Sequence, residues 1–155
     1  MLKLLPRKSS LCASFCRHLT LSVGSILKLE RNFSKDDVVA FGQVSHDRNP
    51  MHFDEEVAAS SQFKKPVVHG MLVASMFSAL IGNSVPGSIY LSQNLKWVQP
   101  VYFGDCIVAK VEVLELKKLR QSAVLAIMST TCTNQNNVVV LEGTASCRLP
   151  AESTA

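Results

Sequence analysis

An aspartate and a histidine lie five residues apart in the segment Asp47-Arg48-Asn49-Pro50-Met51-His52. At neutral pH a carboxylate only accepts hydrogen bonds, whereas an imidazole both takes and gives a proton. Together such groups can hold one water and exchange its protons, which is what general acid–base catalysis requires. Asn49 can orient a partner through its amide. The same residues also suit a capped turn, with Asp47 and Asn49 bonding local backbone and His52 on the surface.

A second segment, Val68-His69-Gly70-Met71, opens an apolar run. A helix N-terminus offers unpaired N–H groups and positive potential, and a glycine there lets another group approach the main chain. That combination suits a carbonyl oxygen gaining charge. Gly70 equally fits a tight loop-to-helix packing contact, and His69 a structural polar group at the helix start. Ser78, two turns further on, either reaches a catalytic polar group or bonds the carbonyl four residues back. Lys64-Lys65 and Lys117-Lys118 read as solvated pairs, not as a nucleic-acid stripe. The sequence contains no Gly-rich phosphate loop, no Cys/His metal cluster and no Gly-x-Ser-x-Gly elbow.

The elements that must position these groups follow from periodicity. Ser25–Arg31 alternates as a short strand. Ser34 is an N-cap for a helix over 35–43, with Asp36 and Asp37 in its first turn. Asn49 and Pro50 keep 45–52 irregular, and 54–59 predicts a short helix. Residues 66–81 predict a longer helix, ended by Gly82 and Asn83. Being apolar on nearly every side, it should be buried. From Ser88 the period becomes two, with runs at 88–97, 107–116, 123–132 and 138–148 at the spacing of antiparallel meander strands. A buried helix wrapped by long antiparallel strands is an α+β arrangement of the hotdog type.

The chain has 155 residues, of which 47% are apolar and 18% charged, so it is a globular single domain and not a disordered one. Its net charge of +4 comes from Lys3, Arg7, Lys8 and Arg17, since the first acid is Glu30. An acid-free, Ser-rich segment over residues 1–22 has the composition of a mitochondrial transit peptide. The expected division is leader 1–22, domain 23–150 and tail 151–155, with a matrix location. Five cysteines without Cys-x-x-Cys spacing read as small buried hydrophobes. The longest apolar stretch is too short to span a bilayer, which predicts a soluble domain.

Asp47–His52 with Phe53-Asp54, and Pro66–Leu72 with its Val68-His69-Gly70 core, resemble the two signatures of MaoC-like (R)-specific enoyl-thioester hydratases. Gly87–Tyr90 and Pro100–Asp105 follow the same pattern, and the likeness runs from about Ser25 to Leu149. It implies a hotdog homodimer whose two sheets join, with Asp47 and His52 as the catalytic pair. It also implies that the Gly70 amide donates to the thioester oxygen and that Asn49 and Ser78 hold the dyad. His46 departs from the pattern, because many members carry Gly before the Asp. The implied reaction is reversible dehydration of an (R)-3-hydroxyacyl thioester on the phosphopantetheine of acyl carrier protein or coenzyme A, without metal or redox cofactor. A hotdog thioesterase and a non-catalytic acyl-binding domain are the alternatives. Phe41, Met76, Phe77 and Trp97 are expected to shape the acyl tunnel.

Overall fold

The computed structural model describes residues 20–119 and 123–154; the expected leader lies almost wholly outside them. Strand β1 (Ile26–Asn32) leads into helix α1 (Lys35–Ser45), a 3-10 turn at Pro50–His52, a short helix α2 (Glu55–Ser60) and helix α3 (Gly70–Ser84). Strands β2 (Ile89–Trp97), β3 (Cys106–Leu119), β4 (Ala123–Thr133) and β5 (Val139–Pro150) complete the chain. All pairings are antiparallel, in the order β1-β3-β4-β5-β2. Only β3, β4 and β5 form the expected meander. β2 leaves it and crosses to the far edge, beside β5.

The strands form because their side chains alternate between a buried and a partly open face, as in Ile107, Ala109, Val111 and Val113 of β3. Those inner side chains close over α3, whose Leu72, Val73, Met76, Phe77, Leu80 and Ile81 are buried against them. Cys132 and Cys147 are part of this core, and burial pushes their thiols up to about 12 and about 11. They therefore act as small hydrophobes.

Three expectations change. First, α3 starts at Gly70, not Pro66, because the Val68 N–H donates to the Val101 carbonyl (2.8 Å) and Val67 bridges Tyr102. It also runs past Gly82 and Asn83 to Ser84, and stops two residues before Pro86. Second, α3 is not buried all round. Met71, Ser75, Ser78, Ala79 and Gly82 form an exposed stripe of mainly small residues. Third, the packed domain reaches beyond 23–150 at both ends. Leu21 is buried and donates its N–H to the Ser153 carbonyl (2.7 Å), and Ser153 is itself buried.

Candidate active site

The turn that carries Asp47 starts where α1 ends. His46 closes that helix in the left-handed region, at φ 60° and ψ 13°. This explains the departure noted above: the site favours glycine, and an imidazole occupies it at a conformational cost. From there the Asp47 Oδ1 accepts from the Asn49 N–H (3.2 Å), and the Asn49 Oδ1 accepts from the Met51 N–H (3.2 Å), capping the 3-10 turn. Asn49 thus touches Asp47 through its backbone N–H, while its side-chain oxygen caps the turn. The capped-turn reading was right for these two residues. It was wrong for His52, whose side chain is only 13% exposed against 49% for Asp47.

His52 is fixed from behind. Its Nδ1 lies 2.8 Å from the Val67 carbonyl, which can only accept, so Nδ1 carries a hydrogen and, in the neutral imidazole, Nε2 is the bare nitrogen. That Nε2 is 3.9 Å from the Asp47 Oδ2. The gap is too long for a direct hydrogen bond but suits a shared water, which can donate one proton to each acceptor.

His69 lies behind the pair and is almost fully buried, at 1% exposure. Its ring stacks on that of His52 with centroids 3.7 Å apart and planes 26° from parallel, while Phe41 and Phe53 close the other sides. Its Nε2 bonds the main-chain carbonyl of Asp47 (3.2 Å). Burial, the largest influence, holds its pKa below the usual histidine value, and the neighbouring His52 adds to this. The bond to Asp47 opposes both without reversing them. The Nδ1 is buried with no hydrogen-bond partner, a cost of about 1–3 kcal/mol.

The opposite wall is the start of α3. No side chain caps this helix, and its ladder begins only at the Val73 N–H, which donates to the His69 carbonyl. The N–H groups of Gly70, Met71 and Leu72 therefore precede it. Gly70 and Met71 line the same cavity as Asp47 and His52, a space of about 590 Å³ with mainly apolar walls. A Cβ on Gly70 would overlap the Trp97 indole, so glycine is required by close approach. The packing reading of Gly70 is met by this contact, and its N–H lies in the uncapped first turn beside the same cavity. Gly42, which sequence reasoning missed, serves similarly: a Cβ there would lie 2.7 Å from the Phe53 ring and 3.1 Å from the Asp47 carbonyl oxygen.

Ser78 does not join the site of its own chain. It is exposed on the α3 stripe and lines no part of this cavity. Eight residues beyond Gly70 it stands about 12 Å further along the helix, which no serine side chain spans. Of the four expected tunnel residues only Trp97 lines the cavity. Met76 and Phe77 are buried in the core and Phe41 packs on His69.

Asp47, His52 and His69 bring ligand-type atoms within 4.8 Å of one another. The His52 Nδ1 and His69 Nε2 are committed to main-chain carbonyls, which leaves the His52 Nε2, the His69 Nδ1 and an Asp47 carboxylate oxygen as the atoms of this set that could ligate.

Residues 22–135 match the model of the MaoC-like domain family. This chain belongs to that family. It is 41% identical over 130 residues to the mitochondrial 3-hydroxyacyl-[acyl-carrier-protein] dehydratase of Arabidopsis thaliana, covering 84% of this chain and 78% of that one. It is 41% identical over 133 residues to the (R)-specific enoyl-CoA hydratase of Aeromonas caviae, covering 84% and 97%. The solved (R)-hydratase from A. caviae involved in PHA biosynthesis superposes with a TM-score of 0.78 over 84% of this chain and 98% of its own. The hotdog architecture expected from periodicity is therefore the fold.

Proposed function

We propose that the chain is a hydro-lyase that interconverts an (R)-3-hydroxyacyl thioester and a trans-2-enoyl thioester. The observation that carries this is the bare His52 Nε2 facing the Asp47 carboxylate across a water-sized gap, beside the uncapped start of α3. In the hydration direction a water donates one O–H to each acceptor and turns its oxygen toward the substrate β carbon. As the new C–O bond forms, the water's proton passes to His52 Nε2. Electron density shifts from the double bond to the thioester oxygen, where the Gly70 N–H donates. Such a donor is worth roughly 3 kcal/mol in the transition state. The proton then returns to the α carbon, so the product has gained H and OH and no co-reactant is consumed.

The remaining assignments belong to the same proposal. The acyl group arrives on a phosphopantetheine arm, of acyl carrier protein or coenzyme A, and the protein supplies no metal or redox cofactor. Its place is the mitochondrial matrix and its pathway fatty acid synthesis, supported by the basic, acid-free N-terminal segment and by the plant relative's name. The active form is a homodimer with the two sheets joined at β2. Among the described residues the outer edge of that strand, opposite β5, has no partner, and the strand carries exposed Ile89 and Leu91, the kind of edge a second copy covers. Among the described residues no helix is long and apolar enough to cross a membrane.

The test is the conjugated-enoyl absorbance of crotonyl-CoA, followed with a thiol reagent in parallel. The expected result is a falling absorbance without thiol release. Thiol release would instead mark a thioesterase, and tight binding with neither change an acyl-binding domain.

A further inference from the structure

We propose that His69 is a positioning residue for this reaction, holding the Asp47 main chain through its Nε2–H while its ring face sets the plane of His52. This rests on the dehydratase reading above. His69 is not a catalytic residue: it is 1% exposed and absent from the cavity wall, so it touches no substrate.

Its side chain contacts both members of the pair. One hydrogen bond reaches the residue whose carboxylate must sit 3.9 Å from the His52 Nε2, and one stacked face reaches the ring that carries that nitrogen. The two contacts act at right angles. The hydrogen bond, in the plane of the His69 ring, ties down the Asp47 main chain, whereas the stack leaves His52 free only within its own plane, where the Val67 carbonyl already fixes it. Without the clamp, the Asp47 turn keeps only short-range bonds to Ser45 and Asn49. Such bonds preserve its shape but not its distance from His52.

The surroundings show what histidine is needed for here. Phe41, Phe53 and His52 form a box that a phenylalanine at 69 would also fill, and a phenylalanine would leave no orphaned Nδ1. The Nε2 donor is the one thing that substitution removes. Burial favours the uncharged ring, so His69 adds no positive charge against His52 as that residue takes a proton.

The experiment compares wild type, His69→Phe and His69→Gln by crotonyl-CoA kinetics and thermal melting. Fixing reacting groups within about 1 Å is worth ~10²-fold in rate. The expected result for His69→Phe is a kcat reduced 30- to 100-fold, KM changed less than threefold, and a Tm equal to or above wild type. His69→Gln places an amide N–H near the Nε2 position and should recover part of kcat. Unchanged kcat in the Phe variant, or a loss of kcat matched by a fall of ~5 °C or more in Tm without rescue by Gln, overturns the proposal in favour of simple packing. In wild type, ¹⁵N shifts of His69 at pH 7 should show hydrogen on Nε2 alone, and hydrogen on Nδ1 overturns the clamp. If wild type hydrates no enoyl thioester, the activity reading fails by itself. The clamp is then judged on the Asp47–Asn49 amide signals, which His69→Phe must shift or broaden and whose constancy overturns it.

Discussion

The two halves of the site are held in opposite ways. The Asp47–His52 turn stays in shape through bonds between neighbours in sequence: Asp47 to Asn49, Asn49 to Met51, and His46 in a left-handed bend. The Val67–Met71 wall is held from afar, by Val101, Tyr102, Trp97 and the sheet beneath. Only one half can therefore tolerate exposure. Asp47 is half open to solvent at the tip of its turn, while its distance from His52 is set by buried groups that belong to the wall. Proton chemistry needs a wet carboxylate, and precision needs a dry frame.

If this division is right, changes at the exposed half should hit rate and spare stability. Asp47→Asn removes the acceptor without changing shape, and should cut kcat on crotonyl-CoA by roughly 10³-fold with Tm unchanged. A fall in Tm alongside would mean the turn carries more of the fold than its exposure suggests. On the wall, Gly70→Ala should cost both. The new methyl meets the Trp97 indole, so either the ring or the helix start must move. Misplacing the amide donor lowers kcat about 10²-fold, and overpacking destabilises by about 1–3 kcal/mol by denaturant melts.

The buried frame should also be the acid-sensitive half. Burial lowers the His69 pKa in the folded chain, with the His52 ring and the Asp47 carboxylate the groups facing it. The unfolded chain therefore binds the proton more readily. Stability from this residue is complete above the unfolded histidine value of about 6.5 and is lost as pH falls below it. Wild type should lose Tm between pH 7 and pH 5, and His69→Phe should lose less over the same range. The smallest effect belongs to the bend. His46→Gly relieves the left-handed conformation and should add about 0.5–1 kcal/mol of stability, with kcat unaltered.

Legibility in the sequence followed the same division. Groups fixed by short-range bonds could be read directly: the Ser34 cap, the irregular turn after α1, and the pairing of Asp47 with His52 by spacing. Groups fixed by tertiary contact could not. Nothing local says that Pro66–His69 pairs with Val101 and Tyr102 instead of joining α3, or that β2 crosses to the far edge. His69 looked like an ordinary polar residue because its partners are 17 and 22 positions away. Nothing local marks Gly42, whose need for glycine comes from Phe53 and the Asp47 carbonyl packed against it. Ser78 shows the reverse case: the resemblance implies a place beside the dyad, whereas within its own chain it lies on the exposed stripe of α3 and lines no part of the cavity. The family signature supplied the chemistry, and only packing supplied the frame.

The central claim is that Asp47 and His52 act on one water as a unit. It is tested most directly by a double-mutant cycle on crotonyl-CoA hydration with Asp47→Asn, His52→Gln and the pair combined. The account predicts that each single change costs nearly as much kcat as both together, because either one dismantles the same bridging water. Losses that simply multiply would show two groups working independently and would contradict it.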